Sequence, residues 1–303
     1  MKRLVECVPN FSEGRDEARV DEIVAAIGSV PGVVVLDRQM NADHNRSVVT
    51  FVGAPEGVGE AAFRGVCRAV ELIDLRQHSG QHPRMGAADV VPFVPIRGVS
   101  MAECVELARE VGRRLGDELG VPVYLYEEAA TRPERRNLAD VRAGEFEGLL
   151  ALVGRDEAHR PDYGPERLHP SAGAVAIGAR RPLVAFNVNL NTGDIGIARR
   201  IARAVRHSSG GLRYVKALGL ELKESGQTQV SMNLVNTEAT PIHRVFTLIR
   251  AEAERYGVSV SESEIVGLVP MDALLDAAEH YLQLNAFSRQ QILEKRLLEL
   301  ETN

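Results

Sequence analysis

The 303-residue sequence has no tryptophan, and aromatic residues make up only 5% of it. A surface built to stack nucleobases is therefore not expected. Positive charge is not in excess either: 36 Lys and Arg against 42 Asp and Glu give a formal charge of −6. Such a chain is a poor partner for nucleic acid or an anionic membrane, although a local basic pocket is compatible with it. Cysteine is scarce: Cys7, Cys67 and Cys104 are odd in number, widely spaced and form no C-x-x-C pair. Neither a zinc knuckle nor a disulfide framework is expected, and each cysteine reads as a small buried hydrophobe. Long apolar runs are missing too. No stretch approaches the ~18 residues of a membrane-spanning helix. The start reaches Glu6 without the apolar core of a signal peptide. The expected compartment is the cytoplasm.

What is present fits a globular chain, with 45% hydrophobic and 26% charged residues. At ~150 residues per domain the length suggests one large domain or two ordinary ones. Strands are expected at 3–8, 33–36 and 47–52, and helices at 15–27 (Ser12 a candidate cap) and 58–70. Residues 90–96 should form a strand that its prolines keep short or at an edge. Ser100-Met101-Ala102-Glu103 is a capping box opening a helix to about Leu119, and 122–126 closes the half. The second half repeats the order. Strands are expected at 183–190, 214–222, 228–235 and 258–268. Ile197 to Val205 gives one helical face, Thr240-Pro241 opens a second helix as cap and first residue, and Met271 to Ala278 a third. Each half reads as βαββαβ, the ferredoxin-like unit, which leaves one sheet face free of helices. The expected fold is α/β (α+β), with domains 1–179 and 180–303. Between the halves lies a connector with Pro161, Gly164, Pro165 and Pro170, either a stiff linker or a functional element. Ile292, Leu293, Leu297 and Leu298 mark a tail helix for packing or a dimer contact.

The densest concentration of chemistry is Arg76-Gln77-His78-Ser79-Gly80-Gln81-His82-Pro83-Arg84-Met85-Gly86, between a helix and a strand. An imidazole titrating near ~6.5 can take and give a proton at neutral pH, although a polar surface loop would look similar. His78 and His82 are four apart, but Gly80 and Pro83 oppose the helix that would align them on a metal; no metal is expected. Gly53 to Gly59 lacks the Lys-Ser/Thr of a phosphate loop, and there is no G-x-S-x-G elbow. Asn187, Asn189 and Asn191 alternate along one strand, and Gln227, Gln229, Ser231 and Asn233 along another. They form polar rows that either face solvent or line a cleft between two free sheet faces.

Val5-Glu6-Cys7-Val8-Pro9-Asn10-Phe11-Ser12-Glu13-Gly14-Arg15 resembles the glutamate formiminotransferase family, the front half of formiminotransferase-cyclodeaminase. The likeness continues through Asn45-Arg46 and Phe51-Val52-Gly53. It is strongest at His82-Pro83-Arg84-Met85-Gly86-Ala87-Ala88-Asp89-Val90 and runs on through Pro95 to Ser100, Val121 to Tyr126, Pro170 to Gly173, Ala185-Phe186-Asn187 and Val266 to Pro270. The resemblance implies transfer of a formimino group from N-formimino-L-glutamate to N5 of tetrahydrofolate, in histidine breakdown. It also implies folate held between two subdomains, and a homodimer. It makes His82 the catalytic residue and Gly164, Pro165, Glu166, Arg167, Leu168, His169, Pro170, Ser171, Ala172 and Gly173, within the connector 155–173, the folate-binding stretch. Asn10, Arg46, Arg84, Arg97 and Asn187, all in matched motifs, become candidates for binding the anionic substrates. No deaminase half follows, so ring closure would need a separate enzyme. Two positions depart from animal relatives: Ala172 replaces an aromatic, and Gln39 replaces an acid. N-formylglutamate as donor, giving 5-formyltetrahydrofolate, and a non-catalytic folate-binding protein are the alternatives.

Overall fold

A computed structural model describes residues 3–302. The chain forms, in order, β1 (Leu4–Cys7), β2 (Asn10–Phe11), α1 (Glu17–Gly28), β3 (Val34–Asn41), β4 (Arg46–Gly53), α2 (Pro55–Leu72), β5 (Ala88–Arg97), α3 (Met101–Leu119) and β6 (Val123–Glu127). Two short helices, α4 (Leu138–Val141) and α5 (Glu145–Leu152), precede β7 (Val175–Ala179). The second unit is β8 (Val184–Leu190), α6 (Ile195–Val205), β9 (Val215–Leu222), β10 (Gln227–Leu234), α7 (Ile242–Arg255) and β11 (Val260–Val266). Helices α8 (Met271–Leu282) and α9 (Leu293–Thr302) follow.

The result is an α/β fold with two sheets. β1 and β2 are two pieces of one strand interrupted at Pro9, because both pair with β4 and with β5. The first sheet then runs β3, β4, β1/β2, β5, β7, β6, antiparallel except for the parallel pairs β5–β7 and β6–β7. The second runs β11, β8, β10, β9 and is antiparallel throughout. Both element orders are consistent with ferredoxin-like units, with α3, β6 and β7 added to the first.

Several expectations need correction. The strand at 90–96 is neither short nor at an edge: β5 has ten residues and lies between β1/β2 and β7. Its prolines sit where the ladder is already irregular. Pro92 lies opposite the break at Pro9, accepting from Val8 N at 3.3 Å, and Pro95 sits beside the register shift at Leu4/Val5. Ser12 does not cap α1. Asp16 does, accepting from Arg19 N, and the Ser12 hydroxyl donates to the Gly86 carbonyl at 2.7 Å. Thr240 does not cap α7; its hydroxyl donates to the Arg213 carbonyl. Strand β7 was not expected at all. Its sequence, Val175-Ala176-Ile177-Gly178-Ala179, is buried on both faces and so shows no alternation to read. The capping box at Ser100 and Glu103 forms as expected.

One core lies between the first sheet and α1–α3, with Phe11, Phe51, Phe93 and Leu125 fully buried. A second lies under α6 and α7, around Val188, Ile201, Val230 and Val245. Each such side chain contributes roughly 1.5–3 kcal/mol by leaving water. The units meet through a Gly267 N–H bond to Gln39 Oε1 at 2.9 Å and a Lys216–Glu127 ion pair at 2.9 Å.

Close backbone approach behind one loop makes a testable demand. A methyl group at Gly86 would overlap the Ala174 carbonyl oxygen, whereas one at Gly148 in α5 meets nothing nearer than 3.9 Å. Gly86→Ala should therefore lower stability by ~1–3 kcal/mol or more, as overpacking does. Gly148→Ala should raise it by ~0.5–1 kcal/mol through helix propensity. Denaturant midpoints of the two variants would check both signs.

Candidate active site

Strand alternation decides what faces inward. In the first sheet Cys7, Phe51 and Phe93 point into the helix-covered core, while Glu6, Thr50 and Pro92 point the other way. In the second, Phe186, Val188 and Val230 point to the helices, and Asn187, Ser231 and Asn233 away from them. The two helix-free faces enclose a cavity of about 590 Å³. Of the two polar rows, Asn187 and Asn189 are buried and Asn191 is exposed.

His82 lines this cavity, on the loop between α2 and β5. That loop is held from three sides. Ser12 N–H donates to Ala87 O at 2.8 Å, Gln81 N–H to Asp43 O at 3.0 Å, and Asn45 Nδ2 to Ser79 O at 3.1 Å. Asn45 adopts φ 47°, a left-handed conformation that asparagine tolerates, and its Oδ1 accepts from Gly14 N. Much of the N-terminal motif from Asn10 to Gly14 thus serves to brace the histidine loop.

The His82 ring has a fixed sense. Nδ1 lies 2.8 Å from the Pro83 carbonyl oxygen, which only accepts. Nδ1 therefore carries the proton and Nε2 the lone pair. Burial first, then the Arg46 and Arg142 guanidiniums and the neighbouring His44, hold its pKa well below the ordinary histidine value. The imidazole is neutral at pH 7, with a free basic nitrogen.

Both guanidiniums converge on Asp89, each through one nitrogen at 2.8 Å, and Asp89 also accepts from Met85 N at 2.8 Å. Asp89 is 0% exposed. Burial by itself would raise its carboxyl, but Arg46, Arg142 and the Met85 N–H outweigh that and hold it below the usual value. Arg46 Nε further donates to Asn10 Oδ1 at 3.1 Å. Around this centre the lining is cationic: Arg46, Arg142, Arg180, Arg206, Arg213 and Lys216, against Glu6, Glu127 and Glu264.

The structure brings His82, Asn10, Arg46 and Asn187 to one cavity. It does not bring Arg84 or Arg97 there. Arg84 is buried and bound by Glu145 and Glu147, at 3.0 and 2.6 Å, and Arg97 is exposed at the end of β5. His78 is similarly occupied, with Nε2 on Asn45 O at 2.9 Å and Nδ1 accepting from Arg84 at 3.3 Å. Among the described residues no three His, Cys, Asp or Glu side chains are grouped to hold a metal. No described helix is long and apolar enough to cross a membrane.

The stretch 164–173 does not line the cavity. It packs behind the His82 loop: Ala87 N–H donates to Ala172 O at 2.9 Å and Ala174 N–H to Met85 O at 3.0 Å. The side chains of Leu168 and Ala172 lie in the first core. Gly164 and Glu166 border a second, more open hollow with Arg132, Arg160 and Tyr163. Sequence reasoning missed Arg142, Arg180, Arg206, Arg213 and Lys216, which lie in loops or at element ends with no motif of their own. Asp89 had a signal, a lone acid entering the apolar strand Val90-Val91-Pro92-Phe93.

Comparison with known proteins finds matches along nearly the whole chain. The sequence profile of the formiminotransferase domain, N-terminal subdomain, matches residues 4–180, and that of the formiminotransferase domain matches 185–301. A glutamate formimidoyltransferase of Streptococcus pyogenes serotype M1 is 52% identical over 299 residues, covering 98% of this chain and 100% of that protein. One from Thermoplasma acidophilum is 52% identical over 295 residues, covering 97% of each. The formimidoyltransferase-cyclodeaminase of Rattus norvegicus is 48% identical over 287 residues, covering 93% of this chain and 53% of that protein.

Two measurements probe the site as described. The His82 imidazole should stay neutral, with the proton on Nδ1, as pH falls through the ordinary histidine value of ~6.5, and titrate only well below it in a nitrogen-15 NMR titration. A midpoint at or above ~6.5 would contradict the buried, cationic setting. Because the unfolded chain takes up that proton near ~6.5 and the folded chain only well below, the histidine should make the fold lose stability as pH falls beneath ~6.5. Asp89→Asn should cost ~3–5 kcal/mol in chemical denaturation, since it strands the buried Arg46 and the largely covered Arg142.

Proposed function

The chain belongs to the formiminotransferase family, and from that premise we propose that it is a glutamate formimidoyltransferase. It transfers the formimino group of N-formimino-L-glutamate to N5 of tetrahydrofolate, releasing L-glutamate, a step of histidine breakdown. Tetrahydrofolate is a co-substrate, and the reaction needs no metal. The protein acts in the cytoplasm as a homodimer; Leu293 and Leu297 of α9, 67% and 51% exposed, are apolar surface available to a second copy.

His82 carries this reading. Attack of the N5 amine on the amidine carbon gives a tetrahedral intermediate, and N5 must then lose a proton while the glutamate nitrogen gains one. The lone pair on Nε2 takes the first proton. The imidazolium so formed is buried beside Arg46 and Arg142, which makes it a stronger acid than an ordinary imidazolium. It therefore gives the proton up readily to the departing nitrogen, one base serving both steps. Because both nitrogens are bonded to the same carbon, a small displacement of the imidazole suffices.

Charge explains the rest of the lining. The donor carries two carboxylates and folate carries a glutamate tail, and the cationic groups of both units suit them. The domains 1–179 and 180–303 each supply one wall, so the folate cleft is the space between the helix-free sheet faces. Asn10, Arg46 and Asn187 act within it. Residues 164–173 serve folate binding by fixing the His82 loop from behind, and Arg84 and Arg97 act outside the cleft. Ala172 does not decide the shape of the cleft, since its side chain is 2% exposed and lies in the core. Gln39 serves as an inter-unit hydrogen-bond acceptor, not a charge.

His82→Ala should lower kcat by ~10²–10⁴-fold while tetrahydrofolate binding persists. The assay is glutamate release from N-formimino-L-glutamate with tetrahydrofolate, paired with calorimetric folate titration. Near-normal turnover in the variant would remove His82 from the chemistry. Folate binding by wild-type protein with no release from any donor would favour a binding protein instead.

A further inference from the structure

The three carboxylates that line the cavity are not equivalent. Glu127 is paired with Lys216 at 2.9 Å. Glu6 lies in the field of Arg180. Glu264, on the edge strand β11, is held by amides alone: its Oε1 accepts from Asn187 Nδ2 at 2.9 Å and from Gln229 Nε2 at 3.2 Å. These amides belong to buried residues, Asn187 being 3% and Gln229 1% exposed. Among the described residues no Lys, Arg or His is ion-paired with Glu264, and no group bonds its Oε2. Glu264, exposed on its edge strand, thus presents to a predominantly cationic cavity a carboxylate that is fixed in direction and has no ion-pair partner among the described residues.

It lines the same cavity as the reacting imidazole. His44, whose ring centroid is 5.8 Å from that of His82, is the group on the first unit that feels the Glu264 charge. His44 Nε2 and Gln229 Oε1 are both buried, and the Gln229 side chain interacts with the His44 ring. A cation entering this cavity therefore meets both a carboxylate, Glu264, and a base, His82.

Resting on the transferase reading above, we infer that Glu264 is the counter-ion of the donor's amidinium and makes the site prefer a formimino over a formyl donor. An amidine is protonated at neutral pH, and an amide is not. An amidinium entering among Arg46, Arg142 and Arg180 needs a local negative partner, and Glu264 supplies it. A neutral formyl group offers that carboxylate no charge partner, so discrimination comes from the wrong donor's missing charge. Asn187 and Gln229 aim the carboxylate, which explains the buried amides on a face that otherwise holds ligand.

The test compares wild type with Glu264→Gln and Glu264→Asp, each with tetrahydrofolate and either N-formimino-L-glutamate or N-formyl-L-glutamate. Glutamate release gives kcat/KM, and calorimetry gives donor affinity independently of turnover. The ratio of kcat/KM values, formimino over formyl, should fall about 10- to 100-fold in the Gln variant, the scale of a hydrogen bond to a charged group. The Asp variant, which keeps the charge, should recover most of the preference. Equal losses on both donors, or an unchanged ratio, would overturn the assignment. If wild type releases glutamate from neither donor, yet binds the formimino compound more tightly and loses that preference in the Gln variant, the transferase reading falls and the counter-ion stands. If wild type transfers from both donors with the same ratio as the Gln variant, the counter-ion falls and the transferase reading stands.

Discussion

One buried carboxylate sets the terms for the rest of the site. Asp89 stands at the start of the central strand β5 with no solvent contact and gathers Arg46 from β4, Arg142 from the end of α4, and the Met85 N–H from the histidine loop. Removing two guanidiniums and a carboxylate from water is costly, and such groups often add little to stability relative to an apolar core. Their effect here is local. The carboxylate fixes two cations beside His82, and those cations add to burial in keeping the imidazole neutral. The neutrality of the histidine, one anchor of its loop at Met85 and part of the positive potential of the cavity trace to the same three charges.

Whole-molecule charge and site charge run in opposite directions. The chain is acidic, at −6, yet six basic groups face three acidic ones around the cavity. Low-dielectric walls keep that potential from being screened as it would be on the surface. Small anions are drawn to the cavity, while the exterior gives polyanions little to bind. The second unit refines this with amides in place of charges: Asn187, Asn189 and Gln229 are buried hydrogen-bonding groups that orient Glu262 and Glu264 at the sheet edge.

The parts of this protein that were legible from sequence share a physical property: their signal is local. The face of α1 with Val20, Ile23 and Ile27, the capping box at Ser100 and the alternating amides on β8 are each written within a few residues. What was not legible depends on packing between distant segments. Strand β7 has no alternation because both faces are buried, and β5 tolerates Pro92 and Pro95 only because its neighbour is broken opposite them. Ser12 looks like a helix cap but is claimed by Gly86, seventy-four positions away. At the site, His82 stood out by residue type and motif. Arg142, Arg180 and Glu264 come together from a short helix end, a strand exit and an edge strand, and nothing nearby in sequence marks them as partners. Arg84 shows the converse, a residue in the strongest motif whose charge is spent on Glu145 and Glu147.

The insertion of β7 between β5 and β6 also bears on how the molecule is assembled. β6 pairs with no strand other than β7 among the described residues, and β7 arrives only after the long stretch from Glu128 to Ala174. As the chain emerges from the ribosome, β6 has no neighbour until that stretch has been made and the last strand slots in beside it. The segment that completes the sheet, 172–179, also carries the backbone groups that close on Met85 and Ala87. A non-local parallel pairing of this kind is among the slower events in folding. The histidine loop therefore acquires its final support late, and catalytic geometry appears only in a first unit whose sheet is already whole.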